Sequence, residues 1–287
     1  MRLSVFYSSL RRFKAVLLLL CLVFSGTIAY AQEQQAQEQS PPDAMIPSSP
    51  ALAATSWLLM DANSGEILAS RNIHEPLPPA SLTKMMTAYL VEQEIEQGRL
   101  SADDRVHVSE KAWRTGGSRM FIREGTEVSV GELLRGVIIQ SGNDASVALA
   151  EHIAGSEAAF ADLMNQQAEK MGMDNTHFVN ATGLPHENHY SSAYDLAILA
   201  KHIIEDFPEH YDIYSEKYFT YNDIRQPNRN RLLWRDPSVD GLKTGHTDAA
   251  GYCLVASAKK DDMRLISVVM GTQSDEARAQ ETQRLLS

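Results

Sequence analysis

The sequence predicts an α+β fold, in which an antiparallel sheet built from N- and C-terminal strands is packed with a central helical region. Three observations predict it. Strand-like runs, Ser56-Trp57-Leu58-Leu59-Met60 and Glu66-Ile67-Leu68-Ala69, stand near the start of the globular part; apolar residues at helical spacing fill the middle; and runs rich in Val, Ile and Leu return at residues 252–258 and 264–270. Strands at both ends with helices between them fit layers in which the terminal segments complete one sheet.

Residues 1–31 read as a secretory signal peptide. Arg2, Arg11, Arg12 and Lys14 precede an apolar run at 15–24, and Ala29-Tyr30-Ala31 supplies the cleavage site. That run is about half the roughly 20 residues a membrane span needs. Leu20, where a small residue would stand before a lipidated cysteine, argues against a lipoprotein signal at Cys21. Residues 32–50, rich in Gln, Ser and Pro, cannot bury enough apolar surface to offset their ordering entropy and read as a flexible linker. Residues 51–287 have ordinary globular composition with no internal linker, and read as one catalytic domain.

Within that domain, Asp61-Ala62-Asn63-Ser64-Gly65 is a turn between the first two strands, giving a β-hairpin. Helices are expected over 85–95, 130–139, 145–153, 158–171 and 193–204. The polar turn Lys259-Lys260-Asp261-Asp262 separates the last two strands, and a helix over 276–286 closes the domain.

The formal charge is −11, and removing the four basic residues of the leader takes it to −15. An acidic chain without a basic tract has no electrostatic footprint for nucleic acid or anionic lipid. Only Cys253 would remain after cleavage, so no internal disulfide is available and stability must come from a packed core.

Three short motifs carry chemistry: Ser81-Leu82-Thr83-Lys84, Ser141-Gly142-Asn143 and Lys243-Thr244-Gly245. Leu77-Pro78-Pro79-Ala80 precedes Ser81 and helical periodicity follows it, so the serine is expected at a helix N-terminus. Its backbone N–H would point outward, and Lys84, one turn on, would face the same side. A lysine can accept the serine proton only when neutral, which requires desolvation or a neighbouring cation, and Lys243 is a candidate for that cation. The spacing of the first motif is not unique, because Ser257-Ala258-Lys259-Lys260 repeats it and Ser70-Arg71-Asn72 mimics the second motif. Both decoys lie in expected strands or turns, where the side chains would not converge. Ser141-Gly142-Asn143 is expected as a tight loop between two helices, its side chains directed into a cleft; alone, it would read first as an ordinary turn capping a helix at Asp144. Lys243-Thr244-Gly245 is expected on a strand edge, with the glycine admitting a substrate backbone.

All three motifs in this order, with their flanks, resemble the low-molecular-mass penicillin-binding proteins of the serine D-alanyl-D-alanine carboxypeptidase type. The resemblance runs from about Ser56 to Leu286. It includes residues 79–87, Gln140-Ser141-Gly142-Asn143-Asp144-Ala145, Asn175-Thr176-His177-Phe178, Tyr190-Ser191-Ser192-Ala193, Asn228-Arg229-Asn230 with Leu232-Leu233-Trp234, and residues 240–247. It implies a β-lactamase/transpeptidase-like fold and a periplasmic enzyme that removes the terminal D-alanine from peptidoglycan stem pentapeptides. By resemblance, Ser81 is the nucleophile, Lys84 the general base and Ser141 the proton relay. Asn143 would anchor an amide, Lys243, Thr244 and Gly245 would form the edge that clamps the terminal carboxylate, and Arg278 would assist them. The N–H groups of Ser81 and His246 would form the oxyanion hole. β-Lactam antibiotics are implied as inhibitors, with no cofactor. Membrane attachment is implied only through a C-terminal region that this chain does not include.

Three alternatives accompany that reading. A β-lactamase needs an efficient deacylating base, and no ExxLN segment lies between Ser141 and Lys243; Gly142 also stands where those enzymes usually carry aspartate. A DD-endopeptidase cutting cross-links is separated only by His246-Thr247-Asp248 and the general similarity. A non-catalytic wall-binding module would need no nucleophile. Elsewhere, His186-Glu187-Asn188-His189 lacks the partners of a metal site, so no metal is assigned. Residues 113–119 resemble the family's loop beside the active site and receive no role. Met85, Met86 and Cys253 are expected as core residues.

Overall fold

A computed structural model describes residues 50–287. The leader and nearly all of the linker fall on residues 1–49, outside the described residues. Strand β1 (Ser56–Asp61) turns back into β2 (Ile67–Arg71), as the hairpin pattern predicted. Asp61 Oδ1 closes the turn by accepting the N–H groups of Asn63 and Ser64. Strands β3 (Arg105–His107) and β4 (Glu127–Ser129) pair away from the main sheet. A two-stranded ribbon, β5 (Tyr218–Tyr221) and β6 (Ile224–Pro227), follows. Strands β7 (Val239–Thr247), β8 (Gly251–Lys260) and β9 (Met263–Thr272) complete a five-stranded antiparallel sheet in the order β2-β1-β9-β8-β7. N- and C-terminal strands therefore share one sheet.

Alternation along β8 shows how the layers form. Cys253 and Val255 face the helical core, whereas Leu254, Ala256 and Ala258 pack beneath the C-terminal helix. Both faces are covered, so the central strands read as nearly continuous apolar runs.

Eight helices complete the domain: α1 (Lys84–Glu96), α2 (Glu110–Arg114), α3 (Val130–Ile139), α4 (Asn143–Ala154), α5 (Glu157–Met171), α6 (Ala193–Asp206), α7 (Leu232–Arg235) and α8 (Asp275–Leu286). Caps set their limits. Ser129 and Glu132 form a reciprocal capping box, and the side chains of Ser156, Ser192 and Ser274 cap α5, α6 and α8. Left-handed Gly155 and Gly172 end α4 and α5. Helix α1 runs through the core with Met85 and Met86 fully buried, which fixes the position of the turn before it.

Two expectations change. Asn143 is the first residue of α4 rather than part of a free loop. The ribbon β5–β6 was not anticipated, although Asn222 and Asp223 both adopt positive φ in its two-residue turn.

Candidate active site

Ser81 lies in a 3₁₀ turn (Ala80–Thr83) that runs directly into α1, so the regular helix begins at Lys84 and not at the serine. The tighter turn matters because residues three apart eclipse in a 3₁₀ helix. Lys84 Nζ consequently sits 2.8 Å from Ser81 Oγ, with a second hydrogen bond of 2.7 Å to the Thr182 carbonyl.

Two glycines pack closely against this turn. A Cβ on Gly183, whose φ is +84°, would overlap the Ala80 carbonyl and lie 3.0 Å from Ser81 N. A Cβ on Gly245 would lie 3.0 Å from Pro79 O and 3.2 Å from the nitrogens of Ser81 and Leu82. The backbone that Gly245 admits in the structure is that of the turn carrying Ser81. The same contact sets the edge strand beside Ser81 N, bringing the two expected oxyanion donors, Ser81 and His246, to neighbouring backbone.

In the second motif, Ser141 adopts a φ of +59° between α3 and α4. Lys243 Nζ donates to Ser141 Oγ at 2.9 Å and to its neighbour's carbonyl, Thr244 O, at 3.0 Å. The pairs Ser81–Lys84 and Ser141–Lys243 are thus two hydroxyl–amine contacts of one site. Asn143 Nδ2 donates to Gly116 O at 2.7 Å and its backbone N–H to Ser118 O at 2.8 Å. With Nδ2 engaged, Oδ1 is the end left to accept a substrate N–H. The segment 113–119, which the sequence left without a role, is the support of this side chain.

Burial is the main cause that lowers Lys84, from an ordinary 10.5 to about 7. The positive charge of Arg229 acts in the same direction, and Asp144 opposes both. Lys243 is likewise pushed well below its ordinary value, first by burial and then by Lys84, Arg229 and Arg278. Lys243 was the candidate cation from sequence; Arg229 is the cation the structure sets against Lys84. Arg229 Nε is held by the Gln140 carbonyl at 3.1 Å. Its only signal in the sequence was its place in Asn228-Arg229-Asn230.

Thr244 is buried on β7, and the His246 ring is exposed, stacked on Tyr252 at 3.9 Å. Arg278 is buried beside them, with one arm donating to Gly245 O at 3.0 Å and the other paired with Asp275. It lines a cavity of about 570 Å³ with Arg229, Trp234, His246 and Tyr252. Arg278 therefore reaches the site and is partly committed to holding β7.

His189 lies behind the nucleophile turn. The Val179 N–H donates to Nδ1 at 3.0 Å, so the ring proton is on Nε2 and donates to Thr83 Oγ1 at 2.8 Å. Burial holds this imidazole down to about 4, hence neutral. Among the described residues, no group of three or more His, Cys, Asp or Glu side chains is placed to hold a metal ion.

This geometry can deprotonate a serine and hold a second hydroxyl–amine pair beside it. The family model of the D-alanyl-D-alanine carboxypeptidases matches residues 43–274. The chain belongs to that family. It is 47% identical over 288 residues to the D-alanyl-D-alanine carboxypeptidase DacC of Escherichia coli, covering 98% of this chain and 69% of that protein. The chain spans about two thirds of the length of such curated relatives, and 62% of DacA from the same organism. Among solved structures, penicillin-binding protein 5 of Haemophilus influenzae is 51% identical, with a TM-score of 0.82 over 83% of this chain and 71% of that one. Penicillin-binding protein D2 of Listeria monocytogenes, in an ampicillin-bound form, is 32% identical with a TM-score of 0.76, over 83% of this chain and 97% of that one. The family's α+β architecture is the one described above.

Proposed function

We propose that this chain is a periplasmic serine DD-carboxypeptidase that trims the terminal D-alanine from peptidoglycan stem pentapeptides through a Ser81 acyl-enzyme. One observation carries the reading: a buried, deprotonatable Lys84 lies 2.8 Å from Ser81 Oγ in a chain of this family. Ser81 Oγ attacks the carbonyl between the two D-alanines while its proton passes to Lys84. The N–H groups of Ser81 and His246 stabilise the oxyanion, a contribution of about two to three orders of magnitude where single donors have been removed. As the C–N bond breaks, Ser141 passes a proton to the departing amine, and D-alanine leaves. Water then hydrolyses the ester and returns the proton to Ser81 Oγ. Asn143 Oδ1 takes the substrate N–H, while Thr244, Lys243 and Arg229, with Arg278 behind them, receive the terminal carboxylate.

β-Lactams inhibit by the same route, since they imitate the D-alanyl-D-alanine end and open onto Ser81. The periplasmic assignment rests on the leader pattern of residues 1–31. The test incubates the mature protein with a stem pentapeptide, a cross-linked dimer and fluorescent penicillin, each beside Ser81→Ala. Release of D-alanine from the pentapeptide supports the proposal. Cleavage of the dimer alone makes the protein an endopeptidase, rapid penicillin turnover makes it a β-lactamase, and labelling that survives loss of Ser81 overturns the mechanism.

A further inference from the structure

Asp144 follows the second motif and touches neither catalytic hydroxyl. Its carboxylate is buried and accepts four backbone N–H groups. Oδ1 takes Met120 at 3.0 Å and Ala145 at 2.9 Å; Oδ2 takes Phe121 at 2.9 Å and Ile122 at 3.2 Å. No cation pairs with it among the described residues. Four converging N–H dipoles make a nest that holds a negative charge without a counter-ion.

The peptide segment wound onto this carboxylate continues the one that fixes Asn143. Gly116 O and Ser118 O hold the Asn143 side chain and N–H, and two residues further on the backbone enters the Asp144 nest. The winding needs special conformations. Phe121 adopts a φ of +69°, and a Cβ on Gly117 would meet Asn143 Nδ2 at 2.6 Å. Gly142 is tied in as well, since a Cβ there would lie 3.0 Å from Asp144 Oδ1 and 3.2 Å from Met120 N. A conformation this constrained persists only where its surroundings over-determine it, and the carboxylate supplies four of those constraints.

We infer that Asp144 is a positioning residue that fixes the Asn143 amide through residues 116–122. This rests on the Ser81–Lys84 acylation reading above.

Asp144→Asn should cut the rate of acylation by fluorescent penicillin by roughly tenfold to a hundredfold, the scale of an ångström-sized misplacement. In an Asn143→Ala background the same change should cost little more, because the group it positions is already gone. A merely structural residue would lower the rate by the same factor in both backgrounds, and that result, or a wild-type rate in Asp144→Asn, overturns the positioning. Should Asp144→Asn not fold, hydrogen exchange in the wild-type protein decides the positioning: the amides of Met120, Phe121 and Ile122 should exchange among the slowest loop amides, and fast exchange refutes the nest. Failure of the acylation reading itself would appear differently, as wild-type protein that penicillin does not label.

Discussion

The two glycines beside the nucleophile turn make a quantitative prediction. In Gly183→Ala the new methyl would overlap the Ala80 carbonyl and stand 3.0 Å from Ser81 N, where ordinary contact begins near 3.4 Å. Clearing the carbonyl requires the turn or residues 182–184 to move by about an ångström and a half, since the atoms met are backbone and have no rotamer to yield. Displacing a nucleophile by about 1 Å costs on the order of a hundredfold in rate. Alanine at a φ of +84° adds roughly 1–2 kcal/mol of backbone strain. Gly98 supplies the control, because its φ is +70° and nothing lies within 4 Å of a Cβ there. Gly98→Ala should therefore lower Tm by about 2–8 °C, taking about 2–4 °C per kcal/mol for a domain of this size, and leave acylation unchanged. Gly183→Ala should show a larger Tm loss together with about a hundredfold slower labelling by fluorescent penicillin. The assay is the second-order acylation rate of the two variants beside their melting curves. Equal acylation rates would refute the claim that Gly183 exists to admit the nucleophile turn.

Three further outcomes follow from the charges of the site and core. Acylation should rise with pH through about 7 as Lys84 loses its proton, and Lys84→Arg, which cannot lose one, should not be labelled at any pH tested. Arg229→Gln removes a positive charge that disfavours protonated Lys84, so its acid limb should move to higher pH. Glu92 is fully buried, bonded to Tyr214 at 3.3 Å, and burial raises it from 4.5 to about 8. Between those values the unfolded chain releases this proton and the folded one keeps it, so stability falls as pH rises, by about 1.4 kcal/mol per unit at most. Glu92→Gln lacks that loss, and its Tm advantage over wild type should grow from pH 5 to 8 and then level; a constant difference refutes the buried, protonated carboxyl.

The fold was legible wherever burial wrote a period into the chain. The helix over 130–139 matches its structural limits because Ser129 and Glu132 announce its start, and 193–204 falls two residues short at Asp206. Strands β1, β8 and β9 were legible because both their faces are covered, and the more exposed β2 because a turn precedes it. The ribbon β5–β6 was missed because its strands have four residues each and no fully buried side chain, so alternation had little room to appear. Asn222-Asp223 was the available sign. Strands β3 and β4, three residues each, offer less still.

The site was legible in its hydroxyls and amines and illegible in what orients them. Arg229, Asp144, His189 and Gly183 act through contacts separated by tens of residues, and no local spacing encodes such contacts. Spacing itself misleads without the element that carries it, as the repeated serine–lysine interval shows. Ser81 and Lys84 meet because a 3₁₀ turn eclipses residues three apart. Ser257 and Lys260 share the interval on strand β8, where successive side chains alternate between faces and residues three apart point in opposite directions. There Ser257 accepts a hydrogen bond from Arg264 at 2.6 Å, while Lys260 bonds the Leu286 carbonyl in the C-terminal helix. The same two residue types at the same interval thus make a buried amine–hydroxyl hydrogen bond in one place and two unrelated structural contacts in the other. What separates them is the left-handed Ala80, two glycines without side chains and a buried helix behind the turn, which together hold three residues in a conformation the motif alone does not specify.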